Sequence, residues 1–131
     1  MKRDMELIRE LLLRLESLPL KPGRGEVVFS NSPSLQVDGF TEDQIKYHLH
    51  LIESSGLIET RGNIPTAGMV FWGLTWRGHD FLDSVRDPEI WKATKEAANK
   101  VGGLSLDMLG NLAKGFIKTQ IAKHTGIEID M

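Results

Sequence analysis

The sequence predicts an α+β fold that is mostly helical, and three observations predict it. Apolar residues recur at three- and four-residue spacing over residues 4–17 and again over 105–124. A capping box at Thr41 opens a further helix, which Gly56 closes just before a short strand-like segment. The run from Leu74 to Asp87 then leaves a second strand-like segment and opens another helix.

The first helix is expected over Asp4 to Ser17. Leu7, Ile8, Leu11, Leu12, Leu15 and Leu18 form its apolar stripe, while Arg9, Glu10, Arg14 and Glu16 decorate the other side. Asp4 is its expected N-cap, and Pro19 helps to end it. Lys21-Pro22-Gly23-Arg24-Gly25 has the chemistry of a loop, Glu26 to Phe29 that of a short strand, and Leu35-Gln36-Val37 that of a second one. No convincing helix lies between residues 18 and 40.

Thr41-Glu42-Asp43-Gln44 pairs a Thr N-cap with Gln three residues on, and acids in the first turn suit the helix dipole. Ile45, Leu49 and Ile52 face inward from this helix, with His48 at the margin. Placing residues 100° apart puts Asp43, Lys46, Tyr47, His50 and Ser54 on the opposite face, flanked by Glu42 and Glu53. Leu57 to Thr60 and Met69 to Leu74 are expected strands, with residues 61–68 as the wing tip between them. Thr75 caps the next helix, whose buried side is Phe81, Leu82 and Val85. Asp87-Pro88 starts another, with Pro at its first position. Trp76, Phe81 and Trp91 are expected to form an aromatic core cluster.

Gly102-Gly103 breaks the chain, and Ser105 to about His124 forms the last helix, followed by a tail from Ile127 to Met131. Its apolar face carries Leu106, Leu109, Leu112, Ala113, Phe116 and Ile117. Contiguous apolar patches of that kind are uncommon on soluble monomers. Leu109, Leu112, Phe116 and Ile117 are therefore the expected interface of a homodimer. Taken together, the elements predict a modified winged helix over residues 1–87, followed by a C-terminal helical extension over 88–131.

Composition narrows the function. The 131 residues contain no cysteine, which excludes disulfides, thiolate zinc sites and cysteine nucleophiles together. A charged N-terminus without an apolar run excludes a signal peptide, and no apolar run is long enough to span a bilayer. A cytoplasmic protein with no membrane partner is expected. Residues 1–87 carry 10 Lys/Arg against 13 Asp/Glu, and residues 88–131 carry 6 against 5. Neither part is basic enough for strong nonspecific DNA binding.

Met1 to Met5, Tyr47-His48, Gly56-Leu57-Ile58 and the block from Leu74 to Trp91 resemble one family. It is a group of small bacterial and prophage-encoded proteins known as domain of unknown function twenty-five thirteen. The Leu-Thr-Trp-x-Gly-His-x-Phe-Leu-Asp run is the most specific part of the likeness. The resemblance implies a winged-helix-like fold in a bacterial or phage setting, and brings no activity, cofactor or catalytic residue.

Lys46, Tyr47, His50, Ser54 and Arg61 are the candidate contacts for duplex DNA, because such side chains reach phosphates and base edges from a groove-bound helix. Asp43, Glu42 and Glu53 oppose that role. His48 and His50 project about 200° apart on one helix and cannot share a metal ion. His48 and His79 are expected to be semi-buried, each bonded to a carbonyl or carboxylate. No nucleophile turn, phosphate loop or zinc-protease motif is present, so neither an enzyme nor a cofactor is expected. Two functions remain: a DNA-associated transcription regulator, or a protein-interaction and oligomerisation module whose partner is another phage or host protein.

Overall fold

Residues 1–61 and 68–126 are described by the structure, a computed structural model. Among them are five α-helices and one three-stranded antiparallel sheet, so the chain is α+β and mostly helical. Residues 62–67, where the wing tip is expected, and the expected tail at 127–131 lie outside the described residues. The chain divides into two compact units, Met1–His79 and Asp80–Met131.

The first unit begins with α1 (Met5–Glu16), capped by the Asp4 carboxylate, which accepts from the amides of Glu6 and Leu7. Leu7, Leu11, Leu12 and Leu15 on this helix are fully buried. Each contributes roughly 1.5–3 kcal/mol of burial. Arg9 does not join the solvated side as expected. It lies only about 60° beyond Leu12 on the helix. Its stem is buried along the edge of the apolar stripe, while its guanidinium meets Glu10 at 3.2 Å.

Strands β1 (Glu26–Phe29), β2 (Ile58–Thr60) and β3 (Gly68–Leu74) form the sheet in the order β1-β3-β2. Val28 pairs with Met69 on the buried face, and Val27 with Val70 on the outer one. Gly25 precedes β1 because a Cβ there would lie 2.4 Å from Val70 and 2.6 Å from the Trp72 indole nitrogen.

The expected strand at Leu35–Val37 is absent, and a 3-10 turn occupies Pro33–Leu35. Pro33 has no amide to give a ladder. The local bonds take over: Leu35 N–H donates to Ser32 O, and the Gln36 amide side chain donates to the carbonyls of Ser30 and Ser32.

Helix α2 (Glu42–Ser54) opens on a complete capping box, with Gln44 N–H on Thr41 Oγ1 at 3.2 Å and Thr41 N–H on Gln44 Oε1 at 2.8 Å. Its far end is tied to the start of α3 (Trp76–Val85). Thr75 Oγ1 accepts from Gly78 N–H at 3.0 Å and donates to Gly56 O at 2.7 Å. Thr75 N–H donates to Leu57 O, and the Arg77 guanidinium donates to Ser55 O at 2.9 Å. Gly78 is packed so tightly that a Cβ would stand 1.9 Å from Leu57 O.

Trp76 is the clearest departure from expectation. It is 85% exposed and belongs to no core, whereas Phe81 and Trp91 are buried. As the first residue of α3 it lies about 140° from Phe81 and 180° from Val85 around the helix. The stripe that buries those residues turns Trp76 to solvent. His79 is likewise exposed, not semi-buried.

The second unit contains the rest of α3, α4 (Pro88–Lys100) and α5 (Leu106–Thr125). Asp87 caps α4 through the amides of Glu89 and Ile90, and α4 packs on α5. Gly110 of α5 faces Phe81 and Ser84, where a Cβ would meet them at 3.6 and 3.8 Å.

Chemical denaturation separates Gly78 from Trp76. Gly78→Ala is expected to lose about 3 kcal/mol or more, since neither the carbonyl nor the helix can give way cheaply. Trp76→Ala is expected to stay within about 0.5 kcal/mol of the parent. A large loss at Trp76 with none at Gly78 would contradict this packing.

Candidate functional site

The face of α2 that carries Lys46, Tyr47 and His50 lines a groove of about 510 Å³, completed by Asp43, Leu49, Glu53, Gly68 and Met69. Helical spacing brings Asp43, Lys46, Tyr47, His50 and Glu53 to one side, and the start of β3 supplies the opposite wall. Leu49 and Met69 are nearly buried and form an apolar floor. Tyr47, 37% exposed, stands at the rim with its ring edge-on to His48 at 5.6 Å.

The sequence-stated candidates divide here. Lys46, Tyr47 and His50 are brought together in the groove, whereas Ser54 and Arg61 are not among its lining residues. Ser54 is exposed and its hydroxyl donates back to Leu51 O within the helix. The Arg61 guanidinium donates twice to Glu59 Oε1, at 2.8 and 3.1 Å, and lies over the Trp72 ring at 4.1 Å. Sequence reasoning missed Gly68 and Met69. Only the alternation of Met69 and Phe71 hinted that Met69 points inward, and nothing showed that β3 would run beside this end of α2.

His48 sits directly behind this face and is 1% exposed. Its Nε2 accepts from Asp4 N–H at 2.8 Å, so the ring proton is on Nδ1, which donates to Gln44 O at 2.7 Å. The carbonyl partner expected for this histidine is therefore present, with deeper burial than expected. Both nitrogens are occupied, and His48 joins the cap of α1 to the body of α2. Among the described residues no group of three or more His, Asp or Glu is placed to hold a metal ion. No helix among them is long and apolar enough to cross a membrane.

On α5, Leu109 is 2% exposed, while Leu112, Phe116 and Ile117 are half-buried. The four expected interface residues thus do not form one uniformly open face.

The model of the family described as "Hypothetical protein (DUF2513)" matches residues 2–105. The chain belongs to that family. It is also similar to an "Uncharacterized protein" of Haemophilus influenzae (strain ATCC 51907 / DSM 11121 / KW20 / Rd), with 35% identity over 128 residues. That alignment covers 93% of this chain and 100% of the relative. No solved structure matches the chain.

The link between α1 and α2 is open to direct measurement. His48→Leu keeps the site apolar but leaves Asp4 N–H and one acceptor site of Gln44 O without the imidazole. A loss of about 1–3 kcal/mol is expected, with faster hydrogen exchange at the Asp4 amide. Unchanged stability and exchange would show that the imidazole bridge carries no weight.

Proposed function

We propose that this chain is a non-enzymatic binding module on a winged-helix-like body, and that it engages a partner protein through the groove beside α2. The observation that carries this reading is the charge pattern of the groove. Asp43 and Glu53 flank Lys46 on the same helix, and Arg61 is already engaged by Glu59 and Trp72. Residues 62–67 add no charge by sequence. Duplex DNA requires several clustered cations to displace its counterions. An apolar floor with a tyrosine and mixed charges around it instead matches the composition of protein-binding surfaces.

The winged-helix reading of the body is supported by the element order α1, β1, α2, β2, β3 and by the sheet order β1-β3-β2. The 3-10 turn at Pro33–Leu35 stands where a middle helix would be. That same order favours a second reading, a DNA-associated regulatory protein of bacterial or phage origin acting in the cytoplasm. In helix-turn-helix proteins, of which the winged helix is a variant, the helix at the position of α2 enters the major groove.

Two measurements separate these readings. At low salt the parent protein is expected to shift no duplex in a gel. If it does bind, and Lys46→Ala with Arg61→Ala lowers both affinity and salt slope, the DNA reading replaces the first. A photo-crosslinking residue at His50 is expected to trap one specific protein in cells, identified by mass and lost with Asp43→Lys. No adduct at His50, or one equally strong from exposed Lys92 on α4, would remove the groove from the interface.

A further inference from the structure

The sheet has two edges, and only one of them is guarded. Strand β2 is three residues long, has a bulge between Glu59 and Thr60, and is followed by Arg61, which pairs with Glu59. Bulges and charges of that kind discourage another strand from adding to an edge. Strand β1 has neither a bulge nor a proline, and Glu26 is its one charge. Phe29 N–H donates to Ser32 Oγ and Phe29 O accepts from Ser32 N–H, both at 2.9 Å, so these groups face away from β3. Main-chain direction alternates along a strand, so the N–H and C=O groups of Val27 and Gly25 face the same open side. Strand β3 agrees, because Val70, opposite Val27, gives its carbonyl to Arg61 N–H on the β2 side. Among the described residues these groups of Val27 and Gly25 have no partner, and Val27 is 49% exposed.

We propose that an extended C-terminal segment of another protein adds to β1, antiparallel along Gly25 to Val27, with its terminal carboxylate at Lys21 and Arg24. Outward donors and acceptors on alternate residues match an extended backbone, which exchanges one pair of bonds with Val27 and another with Gly25. Charge sets the direction. The start of β1 borders a cavity of about 270 Å³ lined by Pro19, Leu20, Lys21, Arg24, Gly25 and Glu26. Both cations are exposed, and among the described residues neither side chain has a partner. The other end of β1 leads to Ser30, whose hydroxyl donates to the Glu42 carboxylate. A carboxylate is therefore drawn to the start of β1, where an antiparallel strand has its C-terminus. Directly opposed residues share a face of a sheet. The antepenultimate residue of the segment thus joins Val27 and Val70 on the outer face, which suits an apolar side chain. The penultimate one stands opposite Glu26, which suits a lysine or arginine.

A second copy of the chain fits this edge less well. Centred on Val27, two β1 strands would set Gly25 against Phe29, whose groups Ser32 already holds. Centred on Glu26, they would form both bonded pairs but set two carboxylates directly opposite one another, which destabilises a sheet. The edge shares no residue with the groove beside α2, so its occupation does not depend on that groove.

Fluorescence anisotropy on the full chain tests this with an N-terminally labelled peptide, threonine-threonine-valine-lysine-valine, ending in a free carboxylate. Saturable binding is expected. Its C-terminal amide, and a version N-methylated at the first valine, are each expected to bind about tenfold more weakly. Lys21→Ala with Arg24→Ala is expected to erase the difference between acid and amide. Val27→Pro removes the edge donor at a place where proline is tolerated, since that N–H lies outside the ladder. It is expected to abolish binding with unchanged circular dichroism, and if it unfolds the chain the N-methylated peptide still decides. No binding at about 1 mM peptide overturns the proposal. So does equal binding of the N-methylated peptide, or of acid and amide. A parent dimer that Val27→Pro returns to the monomer also overturns it, by giving the edge to a second copy.

Discussion

A single hydroxyl holds the first unit to its chain path. Thr75 Oγ1 accepts the Gly78 amide, which starts α3, and donates to the Gly56 carbonyl, which ends α2. One atom thereby fixes where one helix stops and another begins. The contact works only because Gly78 lets α3 come down onto Leu57 O, and because Gly56 adopts φ 81°. Arg77 adds a charged donor to the last turn of α2, where carbonyls lack helical partners. The run from Leu74 to Asp83, which carries the family resemblance read from the sequence, therefore begins in a joint. Its recognisability reports folding geometry and gives no direct sign of chemistry.

Much of this was legible in the residues. The capping box at Thr41, the caps at Asp4 and Asp87 and the break at Gly56 all rest on local chemistry, and each is found in the fold. What escaped the sequence depended on angle or on distant neighbours. Trp76 reads as core because it is large and aromatic, but as the first residue of α3 it lies on the side opposite the buried stripe and points outward. The Leu35–Val37 segment had strand-like residues, and Pro33 with Gln36 gave it better local bonds. Arg9 reads as solvent-facing by its charge, although its stem borders the leucine stripe and is buried.

The candidate site shows the same division. The α2 half of the groove was visible as a helical face, including its opposing acids. The β3 half was not, because no spacing rule relates Met69 to Tyr47. His48 was legible in kind: the expected bond to a backbone carbonyl is present at Gln44 O, while its second link, to the Asp4 amide 44 residues away, had no local signal.

The three indoles occupy three different surroundings, and this gives the protein a built-in optical ruler. Trp91 is buried in the second unit, Trp72 is half-covered under Arg61 in the first, and Trp76 stands in water. Native emission is consequently a sum of a blue, an intermediate and a red component. Iodide in solution would dim the red part first and the blue part last. With two of the indoles replaced by phenylalanine in turn, each unit's melting can be watched by its own colour.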